Sequence, residues 1–229
     1  MCKDGQPKHR QAARELLRRK AQRQPAERLL IVCECSKIEP LYLGKIRQQL
    51  RLPSANVQVQ PAAYGTEPLS IVEYAERLFT EGQRALGIHA RSFDRVVVVF
   101  DRDEHHTYHP ALQRVAALNG RLENDERVKV PFEAVVSVPC FELWLLLHFE
   151  DVIAPLHRDE AIAQLRGHLA GYAKGQGSHW AVTRDRLDAA TGRANALVAA
   201  GHTADEGTQP YTNMHELVHR LLHLKDQAA

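Results

Sequence analysis

A chain of 229 residues with 44% hydrophobic and 25% charged side chains has the length for one good-sized domain, alone or with a small appendage, and an ordinary globular composition. Its formal net charge of +2 does not by itself point to an anionic partner, and no apolar run approaches the roughly 18 residues that a membrane span requires. Four cysteines are too few for a disulfide framework and suit a reducing compartment; with a basic, polar beginning that lacks the apolar core of a secretory signal, the cytoplasm is the expected location.

Basic residues crowd the first stretch, Arg14, Arg18, Arg19 and Lys20 among them. Such an arm (residues 1–26) fits nucleic-acid phosphates and equally fits a solvated helix over 9–23. Pro25 closes it. Leu29 to Cys33 is then a short, wholly apolar run, the pattern of a strand covered on both faces, and it finishes on Glu34. Pro40 suits the first turn of a helix, in which Leu43, Ile46 and Leu50 recur at helical spacing. Val57 to Gln60 alternates like a more peripheral strand, and a helix is expected from Pro68 to Leu86. Next come four consecutive valines and a phenylalanine, Val96 to Phe100, broken off by Asp101-Arg102-Asp103. A helix over Pro110–Leu122, one or two strands within Val128–Val138, and an apolar helix started by Pro139 and running to Phe149 complete an alternating α/β unit over 27–150. Beyond Asp151 the texture is helical only, with helices expected over 158–170, 180–200 and 211–225, an annex (151–229) packed on the sheet.

The fold class is therefore α/β, a mostly parallel central sheet flanked by helices, with a helical C-terminal annex. In such sheets ligands bind beyond the carboxyl ends of the strands. Two buried strands ending in carboxylates, Glu34 on one and Asp101 with Asp103 on the other, predict an acidic edge if the strands are neighbours. Like charges so close need a divalent cation, and hard oxygen ligands suit Mg²⁺, with Mn²⁺ as a substitute. Glu34 also has the place of a general acid or base.

Three stretches together resemble the RloB / AbiLii family: Ile31-Val32-Cys33-Glu34 with Glu39-Pro40, Val99-Phe100-Asp101-Arg102-Asp103-Glu104-His105, and Pro139-Cys140-Phe141-Glu142-Leu143-Trp144 onward to Phe149. Tyr172-x-Lys174 and Pro210 to Val218 are similar to that family's tail. The resemblance implies a Toprim-like metal-binding domain with Glu34, Asp101 and Asp103 as its acids. It further implies a nuclease acting in bacterial defence against phage, often beside an AAA- or ABC-type ATPase. DNA, RNA and transfer RNA all remain open as targets, as does a homo-oligomer.

Several residues carry two readings. Glu39 fits the metal, the positive end of a helix dipole at the start of the next helix, or a Ser36-x-x-Glu39 capping box, which Pro40 suits poorly. Glu142 fits a second metal or a cap, and desolvation makes an idle carboxylate there expensive. His105 suits the orientation of water or phosphate, or plain surface exposure; with His106 and His109 it lacks the cysteine pair of a zinc site. Lys174 suits transition-state charge or solvent. Lys37 and Arg102, flanking the acids, are assigned with the arm to phosphate contact. Trp144 reads as core, and His215, His219 and His223 as a surface stripe on one helical face. Two rival functions stand beside the nuclease. One is a phosphatase or nucleotidyl enzyme using Asp-x-Asp, and the other is a non-catalytic binding module that works through an ATPase partner.

Overall fold

The computed structural model describes residues 26–34, 37–63, 65, 67–173 and 179–228, the side chains of 225–228 excepted. The basic residues Arg14, Arg18, Arg19 and Lys20, and with them Cys35, Ser36 and Lys174, lie outside the described residues.

In chain order the elements are β1 (Leu29–Cys33), α1 (Ile38–Leu50), β2 (Val57–Pro61), α2 (Pro68–Glu81), β3 (Arg95–Asp101), α3 (Tyr108–Leu118), β4 (Phe132–Val138), α4 (Glu142–Leu146), α5 (Arg158–His168), α6 (Trp180–Thr183), α7 (Leu187–Ala199), β5 (Tyr211–Thr212) and α8 (Met214–Ala228). The sheet runs β2-β1-β3-β4-β5, parallel except for the antiparallel β5. Successive residues of a strand point to opposite faces. Leu29 and Ile31 of β1 and Val97 and Val99 of β3 therefore enter one core with α1 and the helices from α4 to α8. Leu30, Val32, Val96, Val98 and Phe100 enter the other, under α2 and α3. Unbroken apolar runs are what two covered faces demand.

This order has a functional consequence. The chain leaves β1 for one face through α1 and leaves β3 for the other through α3. Adjacent parallel strands whose connections diverge open a crevice at their carboxyl ends, the usual binding place of open α/β sheets. Here that crevice lies between β1 and β3.

Several expected boundaries move. The helix expected to reach Leu86 stops at Glu81, because Gly82 has φ +73° and a Cβ there would lie 2.7 Å from the Ala90 amide nitrogen. The helix expected over Pro110–Leu122 spans Tyr108–Leu118. Pro139 does not start a helix; it follows a cis peptide bond, and α4 begins three residues later and is short. The stretch expected as one helix over 180–200 is broken by a 3₁₀ turn at Arg184–Arg186. The C-terminal part is not helical only, since Tyr211–Thr212 adds a strand to the sheet edge and α8 starts at Met214. His215 is buried, not part of a surface stripe. Among the described residues no helix is long and apolar enough to cross a membrane.

His148, just after α4, is 1% exposed. Its Nδ1 lies 2.9 Å from the Trp144 carbonyl oxygen, to which it donates in the neutral ring, while Nε2 is buried with no partner. Protonating Nε2 would bury an unpaired charge, so burial holds the imidazole down at about 4, against an ordinary value of 6.5. The unfolded chain thus binds the extra proton first, and stability falls as pH drops from 6.5 towards 4. Between pH 7 and pH 5 this one group is expected to remove about 2 kcal/mol. Denaturant titrations of the parent and His148→Phe at both pH values check it: the parent should lose that much more than the variant, and equal losses would refute the assignment.

Candidate metal centre

Parallel pairing of β1 with β3 sets Cys33 opposite Val99. The residue after β1, Glu34, continues the ladder by donating its amide to the Val99 carbonyl at 2.8 Å. Its side chain then folds back over the end of β3, where Oε2 accepts the Asp101 amide at 2.8 Å. The two strand ends predicted to meet do meet. From the other flank β4 pairs Ser137 with Asp101, and the chain continues to donate from Arg102 to the Ser137 carbonyl and from Asp103 to the Pro139 carbonyl, both at 2.9 Å. Asp103 sits at φ +34°, a conformation an L residue rarely adopts. Aspartate is among the few side chains that tolerate the left-handed region.

The loop behind β4 and the short α4 bring Glu142 to the same place. It is fully buried, with Oε1 accepting the Tyr172 hydroxyl at 2.8 Å and Oε2 without a partner among the described residues. Glu39, in the first turn of α1, is buried as well. Lys37 is the N-cap of α1 and makes no side-chain cap bond.

Electrostatics single this cluster out. Burial pushes the Asp101 carboxyl well above the usual range, and the charges of Glu39, Glu34, Glu142 and Asp103 push it the same way. Burial likewise raises Glu34, to about 7, against the pull of the Asp101 amide and His105. Asp94, near the opposite end of the sheet, shows what a compensated carboxylate looks like. Burial raises it too, but the Arg28 guanidinium, 2.7 Å away, outweighs burial and holds it below the usual range. Acids of equal type thus titrate in opposite directions: Asp94 has Arg28 against it, whereas the charges that act on Asp101 are those of other carboxylates.

Within the cluster, Glu34, Asp103 and His105 each offer a ligand atom, and these atoms all lie within 4.8 Å of one another. Asp103 keeps Oδ1 buried and unpartnered. His105 is held between two carboxylates, with Nε2 3.2 Å from Glu34 Oε1 and Nδ1 3.3 Å from Glu67 Oε1. Glu67 is fixed in turn by the Thr107 hydroxyl, which donates to it at 2.6 Å. Carboxylate oxygens completed by water and phosphate are the donor set that suits Mg²⁺ or Mn²⁺, with His105 orienting Glu34 from behind. The unpartnered buried oxygens of Asp103 and Glu142 are what a cation would satisfy. The residues present fit the group.

Of the residues expected at the site, Glu34, Asp101, Asp103, Glu39, Glu142 and His105 are brought together. Lys37 stands exposed at the start of α1. Arg102 donates from Nη1 to the Asp103 and His105 carbonyls, both at 3.2 Å, and its guanidinium lies over the Tyr108 ring. It braces the loop. Sequence reasoning missed Glu67, Tyr172 as the donor to Glu142, and Arg158, whose Nη1 donates to Asp103 Oδ2 at 2.8 Å. Glu67 stands just before Pro68 at the start of a helix, a signal that a loop acid facing the crevice would share with any helix cap.

Fold and site together define an α/β protein with a buried acidic crevice at the point where its strand connections diverge. Residues 29–221 match the family model described as RloB-like protein, so the chain belongs to the RloB-like family. No curated protein and no solved structure matches it.

Proposed function

We propose that this RloB-like protein is a Mg²⁺-dependent nuclease of Toprim type, cleaving phosphodiesters of DNA or RNA, transfer RNA included, as an effector of bacterial defence against phage. The family resemblance supplies the biological setting and the expectation of an ATPase partner. The observation that carries the chemistry is the convergence of Glu34, Asp103 and His105 within 4.8 Å, beside a buried Asp101 on which four other carboxylates act.

Asp101 and Asp103 would hold the cation, with Glu39 and Glu142 behind them and Glu34 beside it. When bound, Mg²⁺ supplies charge to the phosphoryl oxygens that become more negative in the transition state. The chain's own groups manage the proton. Burial raises the Glu34 carboxyl in the metal-free chain, the direction that suits a general base. It would take the proton of an attacking water as the new P–O bond forms; the bond to the leaving ribose oxygen breaks, and that oxygen takes a proton from solvent. His105 links Glu34 to the outer Glu67, a route by which that proton reaches the surface.

The test is incubation of purified protein with plasmid, single strands and total transfer RNA, in Mg²⁺, Mn²⁺ and chelator, with and without the neighbouring ATPase. Cleavage of one substrate class that disappears in chelator and in Glu34→Gln is expected. Cleavage that persists in chelator, or no cleavage of any class with the ATPase present, would overturn the reading.

A further inference from the structure

The crevice poses an electrostatic problem that a cation alone does not solve. Glu34, Glu39, Asp101, Asp103 and Glu142 converge on it, and one divalent ion offsets only two negative charges. A polyanion approaching the remainder is repelled. A site of this kind needs a positive side chain at its mouth, turned to solvent and anchored from behind.

Arg158 has that placement. It is the first residue of α5, whose start is locked by a capping box: His157 accepts the Asp159 amide at 3.3 Å, and Glu160 Oε2 accepts the His157 amide at 2.6 Å. From this fixed point the guanidinium reaches Asp103, donating from Nη1 to Oδ2 at 2.8 Å. Its side chain is 36% exposed while that of Asp103 is 9% exposed, so it stands between the buried acids and solvent. Its other N–H donors have no protein partner among the described residues. A guanidinium presents five donors in a planar fork matched to phosphate oxygens. Asp103 thus has one oxygen on Arg158 and the other, Oδ1, buried and unpartnered.

We infer that Arg158 is a substrate-binding residue of this site: it receives a non-bridging oxygen of the phosphodiester, with Asp103 holding it alongside the cation position. The inference rests on the nucleic-acid reading above and adds the group that admits the polyanion to an acidic crevice. It also predicts opposite effects on two ligands. Removing the guanidinium withdraws a donor from phosphate, yet frees an Asp103 oxygen for a metal ion.

The experiment measures two equilibria on the full chain. Binding of labelled duplex DNA and labelled RNA is titrated with Ca²⁺ in place of Mg²⁺ across a salt series, and Mn²⁺ binding is measured on the protein alone. Arg158→Ala should weaken the nucleic acid that the parent binds by roughly 10- to 100-fold and reduce the salt slope by about one. Mn²⁺ should bind the variant as tightly as the parent or more so. Arg158→Lys should recover only part of the nucleic-acid affinity, since an ammonium lacks the planar fork. Unchanged nucleic-acid binding in Arg158→Ala overturns the inference while leaving the nuclease reading in place. Weakening of both ligands together, in Ala and Lys variants alike, also overturns it, by showing that Arg158 only supports the fold. A parent protein that binds neither polymer, with the ATPase partner added as well as without it, removes the nuclease reading itself.

Discussion

Asp101→Asn is expected to abolish metal-dependent cleavage while leaving the metal-free fold as stable as the parent, or more stable. Asp101 is 6% exposed, and burial and its acidic neighbours drive its carboxyl well above the usual range. An ionised carboxylate there raises the energy of the fold, and asparagine keeps the shape without the charge. The same exchange removes a hard oxygen anion from the cation position. Loss of cleavage on the order of a hundredfold or more is the magnitude expected when charge stabilisation of a transition state is removed. Metal linkage gives a reading free of activity. At a hundred times its dissociation constant Mn²⁺ stabilises the parent by about 2.7 kcal/mol, and Asp101→Asn should show little of that gain. Denaturant titrations with and without Mn²⁺ decide the point. A variant that unfolds, or one that keeps the full Mn²⁺ gain, would show that Asp101 is a structural acid.

The gain in stability without metal and the loss of function in one substitution are two faces of one arrangement. A core would not gather Glu34, Asp101 and Glu142 for its own sake, since each is desolvated. The one charged partner shown for Asp103 is Arg158, which comes from the C-terminal part of the chain.

How much of this was legible in the sequence follows from the range of the interactions. β1 and β3 announced themselves because a strand covered on both faces admits no polar residue, and Val96 to Phe100 has none. The acids followed from where those runs stop, and only the pairing of β1 with β3 had to be supplied by the fold. What stayed hidden is held by partners remote in sequence. Arg158 lies 55 residues from Asp103 and Tyr172 lies 30 from Glu142, and neither spacing carries a local signal. Two-residue β5 is too short for any periodicity. It is specified by Asn213, whose side-chain amide accepts the Val136 amide at 2.9 Å and donates to the Ala134 carbonyl at 3.1 Å, a strand-like bond pattern made by a side chain. The apolar stretch after Pro139 misled for a different reason. Apolarity all round marks burial, not length of helix, and the run is cut off after Leu146 by turns that bury it just as well.

That short helix sets up the second large effect. Trp144→Ala is expected to cost about 3–5 kcal/mol, and to lower the melting temperature by on the order of 10 °C. Trp144 is fully buried, and its Nε1 donates to the Tyr42 hydroxyl at 3.1 Å. Tyr42 in turn meets Phe141 and Trp180 edge-on, with ring centroids 5.5 and 5.7 Å away. Truncation empties a fully buried volume beside this cluster and removes the donor to the Tyr42 hydroxyl. A helix of five residues has no stability of its own and keeps its place through such packing. Glu142 is the first residue of that helix, so the damage should reach the crevice: the Mn²⁺-dependent gain in stability should shrink although no ligand has been changed. Trp144→Phe, which refills most of the volume, should recover most of both quantities. Thermal melts of the two variants with and without Mn²⁺ give the answer. A Trp144→Ala protein that melts with the parent would mean that α4 is held by something other than its tryptophan. A destabilised one with an undiminished Mn²⁺ gain would take Glu142 out of the metal centre.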